Sequence, residues 1–305
     1  PPSDACLCYF SAGLSASPTS GDVPLNVQFN GTSFLPIDQW IWDFGDGDSA
    51  FVQSPSHLYD SPGMYDVSLA VISGVDTVNR KRTDYIIALA DTLRGQDVVT
   101  ALIDTIEVVV SATNTVPLSY IVVPILYSGD INLNLLNFST VGCRTDFFTL
   151  RSYLHVNSIG KQATIRLQNS TSGSVPELDP GSGPILKLIF EATANAANDS
   201  TVVSLSGYGA YSPTFTGSLL TYTPTINSPT VVYPSCCEGI RGDFSGDGAV
   251  NVSDLTQLVA HLFSGGPEPE CFEEGDADGS GSIVISDITF LVSYLFRGGP
   301  LPAGC

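Results

Sequence analysis

Over residues 9–90 apolar and polar positions alternate with a period of two between turns rich in Gly, Pro and Asp. That period predicts β-strands with one face buried. The clearest stretch is Trp40-Ile41-Trp42-Asp43-Phe44, which runs into Gly45-Asp46-Gly47-Asp48, a tight turn in which Gly supplies positive φ. Beyond it come Pro55, His57 and Tyr59, then Pro62-Gly63 and the alternation Tyr65, Val67, Leu69, Val71. Trp42, Phe44 and Tyr65 are expected in the core, and Asp43, Asp46 and Asp48 are read first as caps of the turn, with Ca2+ binding there as the alternative. Residues 91–234 continue the β texture, with β-branched runs at 105–110 and 120–127, alternation at 132–138 and the stretch 187–190 ahead of an Ala/Asn/Ser-rich turn. The pattern then changes period. Leu255, Leu258, Val259, Leu262 and Phe263 share one helical face, as do Ile288, Leu291, Val292, Leu295 and Phe296. Ser253 and Ser286 are read as helix starts, and Gly265 and Gly298 as stops.

Charge narrows the function. With 31 acids against 11 bases the net charge is 11 − 31 = −20, which argues against nucleic acid and anionic membrane surfaces as partners. The longest apolar run, near residues 121–126, is far below the roughly 20 residues of a membrane helix. Pro1 rather than Met opens the sequence without a visible signal peptide, and seven cysteines accompany a single Met; a processed, secreted or cell-surface protein from an oxidising compartment is expected.

Residues 15–87, through the words Trp42-Asp43-Phe44-Gly45-Asp46-Gly47 and His57-Leu58-Tyr59, resemble the PKD domain. The resemblance implies an immunoglobulin-like sandwich that serves as a spacer or interaction module without catalytic residues. The middle stretch is similar to a cohesin-like or carbohydrate-binding-like sandwich in the order of Thr115-Val116-Pro117, Pro124-Ile125-Leu126-Tyr127 and the strand from Gly183 to Phe190.

An offset of 33 lays Asp243 on Asp276, Gly248 on Gly281, Ser253-Asp254 on Ser286-Asp287 and Gly265-Gly266-Pro267 on Gly298-Gly299-Pro300, so the C-terminal part is an internal repeat. Each repeat opens with a twelve-residue loop of EF-hand spacing. Asp243, Ser245, Asp247, Ala249, Asn251 and Asp254 stand at positions 1, 3, 5, 7, 9 and 12, with Gly248 at the sharp turn; Asp276, Asp278, Ser280, Ser282, Val284 and Asp287 occupy the same positions around Gly281. Three carboxylates per loop repel one another unless a hard cation joins them, and Ca2+ suits all-oxygen ligands, so two Ca2+ ions are expected. Residues 234–305 carry eleven acids and two bases, 2 − 11 = −9. Val284 brings no side-chain ligand, so the second site is expected to bind less tightly.

One loop and one helix per repeat, with Asp at position 12, resembles the dockerin domain over residues 242–299. That resemblance implies Ca2+-dependent docking to a cohesin, with Val252-Ser253 and Ile285-Ser286 at the recognition positions. Cys236, Cys237, Cys271 and Cys305 bracket this part, and two disulfides are expected, the adjacent pair reaching Cys271 and Cys305. Cys6, Cys8 and Cys143 leave an odd cysteine, free or joined to another chain. Zinc is not expected, since His57, His155 and His261 lie far apart in sequence. Sequons stand at Asn30, Asn137, Asn169, Asn198 and Asn251, the last being a candidate metal ligand and so the poorest glycan acceptor.

The expected fold is mainly β: two immunoglobulin-like or jelly-roll-like sandwiches, 1–90 and 91–234, followed by a small helical dockerin with paired EF-hand-like loops, 235–305. No nucleophile motif or metal-protease helix is present, and a non-catalytic protein is expected. Its partners are other copies of itself in a head-to-tail filament or surface layer, or a cohesin-bearing scaffold. An adhesion subunit holding polysaccharide through Tyr208, Tyr211, Tyr222 or Tyr233 is the alternative.

Overall fold

The structure is a computed structural model, and it describes residues 10–100, 103–170, 176–193, 199–233, 240–269 and 271–302. Cys6, Cys8, Cys236, Cys237, Cys305 and the Asn198 sequon lie outside the described residues.

The alternation in Leu25–Ser33 buries Leu25, Val27 and Phe29 on one face, and this strand lies between Ala12–Ser17 and Ser56–Tyr59 in a three-stranded sheet. Facing it is a five-stranded sheet ordered Ser20–Asp22, Asp76–Leu89, Gly63–Ser73, Gln39–Asp43, Ser49–Ala50. Phe29, Trp42 and Phe44 fill the space between, with ring centroids 5.0–6.4 Å apart. Trp42 is fully buried, and its indole N–H donates to Val52 O at 3.0 Å, which removes the cost of hiding a donor. Tyr65 is only partly buried against this core.

Two residues separate Leu89 from the next strand, Thr92–Gly95. Ile87 and Leu89 side chains belong to the core of the following sandwich, so the two β units share apolar contact across their junction. That second unit has one sheet ordered Asn132–Ser139, Gly181–Thr193, Ile103–Asn114, Thr92–Gly95, Thr225–Asn227 and another ordered Leu150–Asn157, Gln162–Gln168, Tyr120–Leu126, Thr214–Thr216, Thr221–Tyr222. Val108, Val110, Val123, Ile165, Leu188 and Phe190 are fully buried between the sheets. Pro124 is tolerated inside a strand because the Thr214–Thr216 neighbour pairs only as far as Val122, so no ladder donor is missing on that side.

Among the described residues three helices follow: α1 (Val252–Ser264), α2 (Phe272–Gly275) and α3 (Ile285–Arg297). Leu258 and Leu291 are buried where α1 meets α3, and Phe244 and Ala277 complete a small core. The expected helix starts are corrected. Asn251 caps α1, accepting from Ser253 N at 2.7 Å, and Val284 precedes α3. Gly265 and Gly298 do end the helices in the left-handed conformation, at φ 67° and 66°. Phe263 and Phe296, expected on the buried face, are instead 63% and 61% exposed. The core is only one leucine wide per helix, and the last turn of each runs past it.

Candidate metal centre

The two loops repeat the same backbone hydrogen bonds to their first and last aspartates. Asp243 accepts from Asp247 N at 3.1 Å with one oxygen and from Gly248 N at 2.7 Å with the other. Asp276 does the same with Ser280 N and Gly281 N, both at 2.9 Å. Asp254 accepts from Ser245 N at 2.9 Å and Asn251 N at 2.7 Å, and its counterpart Asp287 from Asp278 N at 3.1 Å and Val284 N at 2.8 Å. Gly248 and Gly281 have φ of 86° and 82°, the left-handed region that the turn at position 6 requires. All four aspartates are buried, Asp254 and Asp287 completely. Backbone donors alone do not discharge this much buried negative charge.

The carboxylates of Asp276, Asp278 and Asp287 offer oxygens that all lie within 4.8 Å of one another. Burial, followed by the fields of Asp278 and Asp276, pushes the Asp287 carboxyl above its ordinary range. At Asp278 burial pushes the other way from hydrogen bonds with Ser286 and Ser280, and the bonds win, so its carboxyl sits below its ordinary value. Arg241 reaches Asp276 Oδ2 at 2.9 Å, which neutralises part of the cluster. In the first loop the donor set is turned on itself: Asp247 accepts from Ala249 N at 3.0 Å and from the Asn251 amide at 3.3 Å, and that amide also donates to Ala249 O at 2.9 Å. The second loop, for which weaker binding is expected from Val284, thus has the more tightly gathered carboxylates. Ser280 donates to Asp276 and to Ser282 O, and Ser245 to Asp243, so every residue at positions 1, 3, 5, 7 and 12 lies in its loop's hydrogen-bond network.

At the recognition positions Val252 and Ile285 are 54% and 61% exposed. Ser253 is exposed, whereas Ser286 is half-buried against Asp278. Cys271 is disulfide-bonded and buried; Cys143 is a buried free thiol that burial pushes above its ordinary pKa. Asn30 and Asn137 are exposed. Asn169 is corrected as a glycan acceptor: it is buried, its carbonyl accepting from Ser170 N and its amide donating to Pro176 O.

Of the tyrosines singled out for polysaccharide, Tyr233 is buried beside the Glu273 carboxylate and Tyr222 donates to Asp91 inside the fold. Tyr208 and Tyr211 are half-buried and pack with His155 on one sheet, the His155 and Tyr211 rings stacked at 5.4 Å. Sequence reasoning did not find His155, because its partners are more than fifty positions away.

No helix among the described residues is long and apolar enough to cross a membrane. No curated protein matches the chain. Among solved structures the chain is similar to a chain of a type I cohesin–dockerin complex from Clostridium thermocellum, at 12% identity over 47% of this chain and 93% of that one, TM-score 0.39. It is also similar to a chain of the complex between the sixth cohesin of Acetivibrio cellulolyticus scaffoldin B and a Cel5 dockerin mutant, at 14% over 48% and 99%, TM-score 0.39. A non-cellulosomal cohesin from the archaeon Archaeoglobus fulgidus is similar at 16% over 48% and 93%, TM-score 0.36. Residues 10–88 match the family model of the PKD domain, and the N-terminal sandwich is therefore a PKD domain.

Proposed function

We propose that this is a non-catalytic extracellular assembly protein whose C-terminal part, residues 235–305, is a dockerin that binds two Ca2+ ions and docks on a cohesin-like face of residues 91–234 in another copy. The observation that carries this reading is the pairing of buried carboxylates with exposed apolar residues on the opposite side of the same first helical turn. Each loop places Asp254 or Asp287 inside and, two residues earlier, Val252 or Ile285 outside. Asp243, Ser245, Asp247, the Ala249 carbonyl and Asp254 hold the first ion, with Asn251 completing the shell; Asp276, Asp278, Ser280, the Ser282 carbonyl and Asp287 hold the second. Buried carboxylates with spare lone pairs fit a hard cation, and when bound Ca2+ supplies the positive charge that fixes the loops and presents both helices. Apolar residues held outward by an ion in a strongly acidic domain are suited to a protein partner, because burying Val252, Ile285, Phe263 and Phe296 supplies the driving force. Donor and receptor in one chain make a heterologous contact, which grows into an open filament unless the rotation closes it.

Negative-stain microscopy of native protein with and without chelator tests this. Filaments or rings that disperse on chelation are expected, and monomers in saturating Ca2+ overturn self-assembly and favour a separate cohesin-bearing scaffold. The His155–Tyr208–Tyr211 cluster supports a second reading, a polysaccharide-holding subunit anchored through the same dockerin, and a blank glycan array removes it.

A further inference from the structure

The PKD domain carries a second cluster of metal-ligating groups, chemically unlike the two loops. The turn after Gln39–Asp43 ends in Asp46 and Asp48, while His57 comes from Ser56–Tyr59 in the opposite sheet. The distance in sequence hides what the fold brings together. His57 Nε2 lies 2.6 Å from Asp46 Oδ2, and one ligand atom each from Asp46, Asp48 and His57 falls within 4.8 Å of the other two. The imidazole is held in place: its ring stacks on Phe44 at 4.1 Å and 6°, and meets Tyr59 edge-on at 4.7 Å. Asp46 is held too, since its other oxygen accepts from Asp48 N at 3.1 Å. The Asp48 carboxylate has no hydrogen-bond or ion-pair partner among the described residues.

We propose that Asp46, Asp48 and His57 form a binding site for one borderline divalent transition-metal ion of the Zn2+ class, stapling the two sheets of the PKD domain at their rim. One nitrogen and two carboxylate oxygens are the donor set that such ions take and that Ca2+, an oxygen-seeking ion, does not favour. The site is thus distinct in selectivity from the two loops. Entry of the ion replaces the direct His57–Asp46 contact. With bonds of about 2.1 Å in tetrahedral geometry, the nitrogen and oxygen sit roughly 3.4 Å apart, so the present 2.6 Å contact opens by less than 1 Å. The Asp48 carboxylate, free on the turn, supplies the third ligand, and solvent supplies the open position.

The test is calorimetric titration of the full chain with Zn2+ in millimolar Ca2+, which keeps the loops filled. Wild type is expected to take up one Zn2+ at this site and to melt at a higher temperature with it. His57→Gln should abolish that binding and Asp48→Asn weaken it about tenfold or more. Because His57→Gln also removes the ring stack on Phe44, Asp48→Asn decides the matter if the first variant fails to fold. Zn2+ uptake that Asp48→Asn leaves unchanged, or no uptake by wild type at millimolar Zn2+, overturns the proposal.

Discussion

Replacing Asp287 by Asn should change stability in opposite directions with and without Ca2+. In the structure both Asp287 oxygens accept a backbone N–H, from Asp278 at 3.1 Å and Val284 at 2.8 Å. An amide keeps one acceptor and turns an NH2 toward the other donor, so one charge-assisted bond worth about 1.5–3 kcal/mol is lost. Against this stands the repulsion among the converging carboxylates. At the 4.8 Å that bounds their separation, one pair repels by ~3.5 kcal/mol at an effective dielectric of about 20. Arg241 offsets most of the Asp276 share, leaving roughly one uncompensated pair, that with Asp278. Without a cation the substitution therefore stabilises the C-terminal part by about 0.5–2 kcal/mol, at ~4–8 °C per kcal/mol for a unit this small. With Ca2+ bound the sign reverses, because a charged ligand is gone. Scanning calorimetry of the chelator-sensitive transition, in chelator and in millimolar Ca2+, reads both signs. A loss of stability of equal size in both conditions would refute the reasoning and leave the carboxylates as backbone caps only.

Two further outcomes follow from packing and exposure. Phe29→Ala opens the space between Trp42 and Phe44 and should cost about 3–5 kcal/mol in PKD-domain stability, read by Trp fluorescence in a denaturant titration; a change under 1 kcal/mol would contradict the packing. Val252→Asp with Ile285→Asp places charges on two exposed first-turn positions, so the fold and Ca2+ uptake should persist while association falls at least tenfold by light scattering; unchanged association would remove these residues from the interface.

Period-two alternation made the sandwiches legible because the core is sampled at every second residue, as in Leu25, Val27 and Phe29. The loops were legible for a different reason: a turn that wraps a carboxylate fixes the spacing of its backbone donors, so the 33-residue offset survives down to single hydrogen bonds. What the sequence hid depends on depth and distance. Phe263 and Phe296 lie on the apolar helical face, yet periodicity says which way a side chain points and nothing about where the partner helix ends. Asn251 also caps α1 with its side chain, a second use of the ligand position that loop spacing alone does not reveal. His57 meets Asp46 only because the two sheets fold face to face, and no short-range pattern encodes that.

The seam between the first two sandwiches has a mechanical consequence. Ser20–Asp22 pairs in parallel with the end of Asp76–Leu89, through Ser20↔Ile87, Gly21↔Ala88 and Asp22↔Leu89. A chain pulled from its N-terminal side and from the strand that exits at Leu89 loads those bonds sideways and all together rather than one after another. The PKD domain is therefore wired to resist stretching, and the two-residue step to Thr92 passes the load to the next sandwich with almost no slack.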